Sequence, residues 1–220
     1  MTIHQLSHRS PSLNPAEWWR RIGWVTDRIA LCGDLPSSDV AARAQLDQWV
    51  AEGVTVILDV RGEFSDARRV ADWAPGIRYI HLGTHDSGGA QDHSWFVLGV
   101  EEVLAALAGD PTAKIVIHCH MGVNRAPSMA FAVLLAMGFE AIAAMEMIRE
   151  ARPIAAAVYA DQALDVHLWL RGAHSAERAM AIAELKQWMR DNDVDVSWVI
   201  SRIRRSEMNG TSELNVEEDS

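Results

Sequence analysis

Cys119 and Arg125, with five residues between them, are the pair in this chain best placed to do chemistry. They sit in the stretch Lys114–Met137, KIVIHCHMGVNRAPSMAFAVLLAM. Spacing alone means little, since arginine falls at any given position with a chance of roughly 5%. The surroundings are specific. An apolar run ends at Cys119, a loop containing Gly122 follows, and Arg125 opens an amphipathic helix. Such a strand-to-helix loop can curl so that successive backbone N–H groups converge and form an anion nest. The helix N-terminus adds unpaired donors and the positive end of its dipole. A thiol there is favoured as the thiolate, the form that attacks. Gly122 allows a turn with positive φ and keeps side chains out of the cradle. His120, Met121, Gly122, Val123 and Asn124 would line it, and Arg125 would hold two phosphate oxygens in its planar fork. The chemistry is attack of a thiolate on phosphorus, through a phosphocysteine.

The elements that must position this loop are legible in the alternation of apolar runs. The pattern tightens from Trp18; WVTDRIALCGDLP, residues 24–36, reads as two short strands around a turn, and a helix follows from Ser37 to Gly53, capped by Ser37 or Ser38. Strands are expected at Val54–Val60, Ile77–Leu82 and Lys114–Cys119. Helices are expected at about Ser94–Ala108, Asn124–Met137, Phe139–Ala151 and Val158–Gly172. Strands alternating with helices imply an α/β fold, with a central, mostly parallel sheet of about four or five strands flanked by helices. Beyond Gly172 the pattern turns wholly helical. Ser175–Arg190 and Asp195–Arg205 each gather apolar residues on one face and read as a helical hairpin packed on the catalytic domain, with a protein partner there as the alternative. The expected layout is a flexible arm at 1–16, a catalytic domain at 17–172, a helical extension at 173–205 and an acidic disordered tail at 206–220.

Apolar residues make up 49% and charged residues 23%, the balance of an ordinary globular protein. The net charge of −10 argues against a nucleic-acid partner. The acids Glu207, Glu213, Glu217, Glu218 and Asp219 carry half of it and meet no base in the tail. An acidic body that handles phosphate must attract it through one local cradle. No membrane association is expected, because the longest apolar run, Ala130–Phe139, falls far short of the roughly 20 residues a spanning helix needs. The N-terminal residues lack the apolar core of a signal peptide, so a cytoplasmic location is expected. Cys32 and Cys119 are too few for a disulfide framework or a cysteine-built metal site. Cys32 reads as core filler. His81, His85, His93 and His120 lack regular ligand spacing, and neither a metal nor a cofactor is expected.

The motif His118-Cys119, five residues, Arg125, with Gly122 third of the five, resembles the signature of the protein tyrosine phosphatase superfamily. GVTVILDVRGE and MGFEAIAAMEMIREARPIA, ending at Arg152-Pro153, are similar to flanking segments of its dual-specificity branch, and the likeness spans roughly Trp18–Gly172. The resemblance implies a phosphatase acting on phosphotyrosine and/or phosphoserine and phosphothreonine of a phosphoprotein substrate. It also implies that His118 supports the cysteine region without touching phosphate.

Leaving-group departure needs a proton donor, ideally a carboxylic acid on a movable loop. HLGTHDSGGAQDHSW, between a strand and a helix, holds Asp86 and Asp92. Asp86 lies about as far before Cys119 as the family's acid does, whereas Asp92 abuts the following helix and suits an N-cap. Ser87, Gly88 and Gly89 would make that loop mobile. Asp59 and Arg61 read as a structural ion pair.

One departure stands out. The family usually has Ser or Thr directly after the signature Arg, and this chain has Ala126. Ser128, two helix steps on, points to the other side. The alternatives are a phosphate-binding pseudophosphatase and a rhodanese-like sulfurtransferase. Phosphoinositide and RNA substrates are less favoured, since the five loop residues contain no Lys or Arg.

Overall fold

The computed structural model describes residues 15–217. Its five-stranded sheet runs in the order β1(Gly23–Trp24), β2(Ile29–Cys32), β5(Ile115–His118), β3(Val56–Arg61), β4(Arg78–Thr84). β1 is an antiparallel edge on β2, and the other four strands are parallel. The central three strands are buried at every residue, which is why they read as continuous apolar runs instead of alternating ones.

The helices are α1(Asp39–Ala51), α2(Ala67–Trp73), α3(His93–Gly109), α4(Arg125–Ala136), α5(Ala141–Ala151), α6(Ala160–Leu170), α7(Ser175–Asp191) and α8(Val196–Glu217). A 3-10 helix, Pro15–Arg20, precedes the first strand. α4 leaves the end of β5 and is buried along eleven residues from Arg125 to Leu135, with Met129, Phe131, Val133 and Leu134 fully enclosed. It is the spine of one layer, on which α3, α5 and α6 pack. The opposite face of the sheet is closed by α1 and α2 through Leu46, Trp49 and Val70.

α2 was not expected. Its seven residues bury only Val70, so the segment carries no apolar period to betray it. Ser38 is the N-cap of α1 but makes no side-chain cap bond. The two helices of the C-terminal extension diverge. α7 seats Leu185 in the main core beside α5 and α6, while α8 seats Val199 and Ile203 against Trp19 of the 3-10 helix.

The expected disordered tail at 206–220 needs correction, because α8 continues through Glu217. Composition judges a segment by its own apolar residues, but a helix already nucleated and anchored at Val199 and Ile203 extends at little cost. Residues 218–220, and residues 1–14 of the expected N-terminal arm, lie outside the described residues; Pro15 and Ala16 begin the 3-10 helix. Among the described residues no helix is long and apolar enough to cross a membrane.

Candidate active site

The C-terminal ends of the parallel strands meet at one edge of the sheet, where α/β folds collect their sites. β5 lies between β2 and β3, so Cys119, the first residue beyond it, emerges at the middle of that edge. It is 2% exposed.

The loop from Cys119 to Arg125 is held by its carbonyls, which turns its amides the other way. Arg152, itself buried, donates from Nε to the Gly122 carbonyl at 2.5 Å and from Nη2 to the Met121 carbonyl at 2.9 Å. The same guanidinium reaches the carbonyls of Trp19 and Arg21. The His120 carbonyl accepts from the amide of Asp34, and that of Val123 from Ala156 and Ala157. Ala157 takes a left-handed φ of +50° to do so, a conformation costing an L-residue on the order of 1 kcal/mol. Gly122 is required twice. Its φ is +62°, and a Cβ there would collide with the Arg152 guanidinium and the Cys32 carbonyl.

Arg125 is 2% exposed. Its Nη1 donates to Glu63 Oε2 at 2.7 Å and to the Thr84 carbonyl at 2.8 Å. Its Nε lies 3.5 Å from Asp86 Oδ2 and makes no hydrogen bond among the described residues. A buried donor left open in this way suits an incoming oxyanion. Burial alone would lower the Arg125 pKa, but the Glu63 bond and the nearby Cys119 and Asp86 outweigh it, and the guanidinium stays charged.

Asp86 stands at the rim with a third of its side chain exposed. Its Oδ1 accepts from Asn124 Nδ2 at 2.5 Å and from the Tyr159 hydroxyl at 2.8 Å. The same hydroxyl accepts from the amide of Gly88, so the Gly-rich loop expected to be mobile is pinned to the start of α6. Asp92 is elsewhere: it is the N-cap of α3, with its carboxylate accepting from the Ser94 amide at 2.8 Å.

Ala126 is fully buried. Ser128 points away, its hydroxyl accepting from the amide of Tyr159 at 3.2 Å. His118 is buried 3.7 Å from Asp59, and burial keeps its pKa low. Asp59 pairs with Arg61, as expected, inside a network with Asp66, Tyr79 and Asp34. Burial opposes the Asp59 charge, but His118 and Arg61 overcome it and bring its pKa down to about 2.

His120 donates from Nδ1 to Asp34 Oδ2 at 2.7 Å, and its Nε2 lies 3.6 Å from Glu207 of α8. The Asp34 bond, against the effect of burial, raises its pKa. The histidines are scattered: His81 bonds the Arg61 carbonyl, and His93 lies beside Trp169 with the rings tilted at 49°. Among the described residues no three ligand-type side chains gather as a metal site would need. Cys32 pairs in register with His118, and burial pushes its thiol well up.

Sequence reasoning missed Glu63, Tyr159, Asp34 and Glu207. A signal existed for two of them: Asp34 and Glu63 are acids placed just beyond the ends of β2 and β3.

No family model matches the sequence, and no curated protein matches it either. Solved structures do match in fold. Human DUSP28 superposes with a TM-score of 0.57 at 18% identity, covering 74% of this chain and 99% of that one. PTPMT1 in complex with PI(5)P gives 0.55 at 18% identity, covering 70% and 99%. The human tyrosine phosphatase-like serine/threonine/tyrosine-interacting protein gives 0.54 at 16% identity, covering 69% and 99%.

Proposed function

We propose that this chain, which has the fold of the dual-specificity phosphatases, hydrolyses phosphomonoesters through a phosphocysteine. Protein phosphotyrosine, phosphoserine and phosphothreonine are the substrates it suits. The observation that carries the reading is the convergence at one sheet edge. A thiol at the end of the central strand faces a loop whose carbonyls are tied outward by Arg152, with Arg125 buried, charged and holding an open Nε donor.

The steps follow from those positions. The phosphate settles among the loop amides and the Arg125 fork. The Cys119 thiolate forms a bond to phosphorus while the ester P–O bond breaks, and the leaving oxygen takes a proton from Asp86. Water then attacks the phosphocysteine, Asp86 takes a proton from it, and the S–P bond breaks to give inorganic phosphate and the thiolate. Glu63 holds the arginine fork in the plane it needs, and Asn124 with Tyr159 holds the acid.

The direct test is incubation of the protein with an aryl phosphate, a phosphopeptide panel and phosphoinositides, with acid quenching to trap a phosphorylated Cys119. Release of phosphate from peptides with a trapped intermediate is the expected result. Preference for the phosphoinositides would reassign the substrate, and binding without release would make the chain a phosphate-binding pseudophosphatase. Two further results are expected. Asp86→Asn should lower kcat/KM for a poor leaving group far more than for a good one, since only the poor one needs the proton. The same pattern from Asp92→Asn would transfer the role, although its bond to Ser94 argues against it.

Ala126 provides no hydroxyl to help the thiolate leave. Breakdown of the phosphocysteine is therefore expected to be the slow step, with a burst of alcohol close to the enzyme concentration in rapid mixing. Ala126→Ser should speed turnover by about tenfold, the worth of one hydrogen bond to an anion. A linear time course and an unchanged rate in the variant would exclude this account.

A further inference from the structure

We infer that α8 is a working part of the phosphate-binding loop: Val199, Ile203 and Glu207 hold the outward face of residues 120–123 and so set the loop's affinity for an oxyanion. These are positioning residues, and the inference rests on the phosphatase reading above.

An anion nest works only while its amides converge, so whatever fixes the outward side chains fixes the site. Each of these side chains has a holder. Asn124 bonds Asp86 and the amide of Val158. Met121 and Val123 lie in a small apolar cluster with Trp19, Ala156, Val199 and Ile203. His120 sits between Asp34 and Glu207. Both the apolar cluster and the His120 clamp therefore include α8. Val199, Ile203 and Glu207 are spaced four apart, one stripe on a helix. Val199 is 3% exposed and Ile203 fully buried, so the stripe is seated rather than laid loosely on a surface.

The polar end of the stripe bears on the charge of the loop. His120 faces Asp34 from the segment after β2, Glu207 from α8 and Arg20 from the 3-10 helix, and it acts across the site on Glu63. The carboxylates favour its cationic form and Arg20 opposes it. That positive charge beside the nest is present at low pH and disappears as pH rises through the raised pKa of His120. Removing the Glu207 charge moves the loss to lower pH.

The test uses the full chain with tungstate as probe, its affinity measured by calorimetry from about pH 6 to 9, beside hydrolysis of an aryl phosphate. Ile203→Asp is expected to weaken tungstate binding roughly tenfold or more and to lower kcat/KM by at least as much. Leu185→Ala, on α7, is the control for general destabilisation: it should lower the melting temperature with tungstate affinity unchanged. Glu207→Gln keeps the packing and settles the matter should Ile203→Asp fail to fold; its tungstate affinity should fall away at lower pH than in wild type. Wild-type binding in Ile203→Asp, or a Glu207→Gln pH profile that superposes on wild type, would overturn the inference and leave the phosphatase reading standing. A wild-type protein that binds tungstate and hydrolyses nothing would overturn that reading and leave the brace.

Discussion

Cys119→Ser is expected to abolish hydrolysis of a small aryl phosphate while the protein stays folded and still binds tungstate. Serine differs from cysteine by one atom in a site 2% exposed, so the packing around β5 and α4 should hold. What disappears is the nucleophile. A hydroxyl does not ionise near neutral pH, and no described side chain next to it is a base suited to activate it: His118, the preceding residue, is turned toward Asp59. Residual activity above about a tenth of wild type would exclude thiolate attack. The acid-quench experiment adds a second reading, because the phosphorylated intermediate should vanish together with turnover.

Arg125→Lys is expected to be nearly as damaging. The guanidinium spends Nη1 on Glu63 and Thr84 and keeps Nε directed toward the side of Asp86. An ammonium has three donors at one point and cannot bond Glu63 and grip two phosphate oxygens together. Loss of one such donor to a developing negative charge costs about 10²–10³ in rate, and that is the fall expected in kcat. KM should move less, since the fork strengthens most as charge grows in the transition state. A variant that keeps wild-type kcat with only KM raised would reduce Arg125 to a binding residue. Melting curves guard against a trivial explanation, because the shorter, single-headed ammonium would leave Glu63 differently paired at the rim.

The sheet was legible because its central strands are buried on both faces, and continuous runs such as Val56–Arg61 carry that signature in their composition. The candidate site was legible where its parts lie close together in the chain. Cys119, Gly122 and Arg125 lie within one strand–loop–helix unit, and Asp92 announced itself as an N-cap by standing just before a helix. What stayed hidden is what acts across the chain. Nothing near Glu207 says that it will stand beside His120, and its acidic neighbours suggested a solvated tail instead. Glu63 belongs to the loop after β3, and only the sheet order, which sets β3 beside β5, brings it to Arg125. The Gly-rich loop after β4 shows the same reach. Gly88 and Gly89 are free to move as sequence, but the Tyr159 hydroxyl reaches the Gly88 amide across 71 residues.

Those separations bear on how the molecule comes into being. Arg152, which bonds the Gly122 and Met121 carbonyls of the loop, also bonds the Trp19 carbonyl across 133 residues, a longer closure than any strand pairing of the sheet. Contacts that close such long stretches of chain form late, after the entropy of closing them has been met by nearer ones. The central sheet can thus exist before the anion nest does. Refolding followed by intrinsic fluorescence should run ahead of refolding followed by oxyanion binding. On the ribosome, which adds about 5–20 residues each second, a nascent chain passes through an interval in which Cys119 has been made but Arg152 has not. During that interval the thiol has no arginine-held loop around it, and the candidate site waits on residues made after its own cysteine.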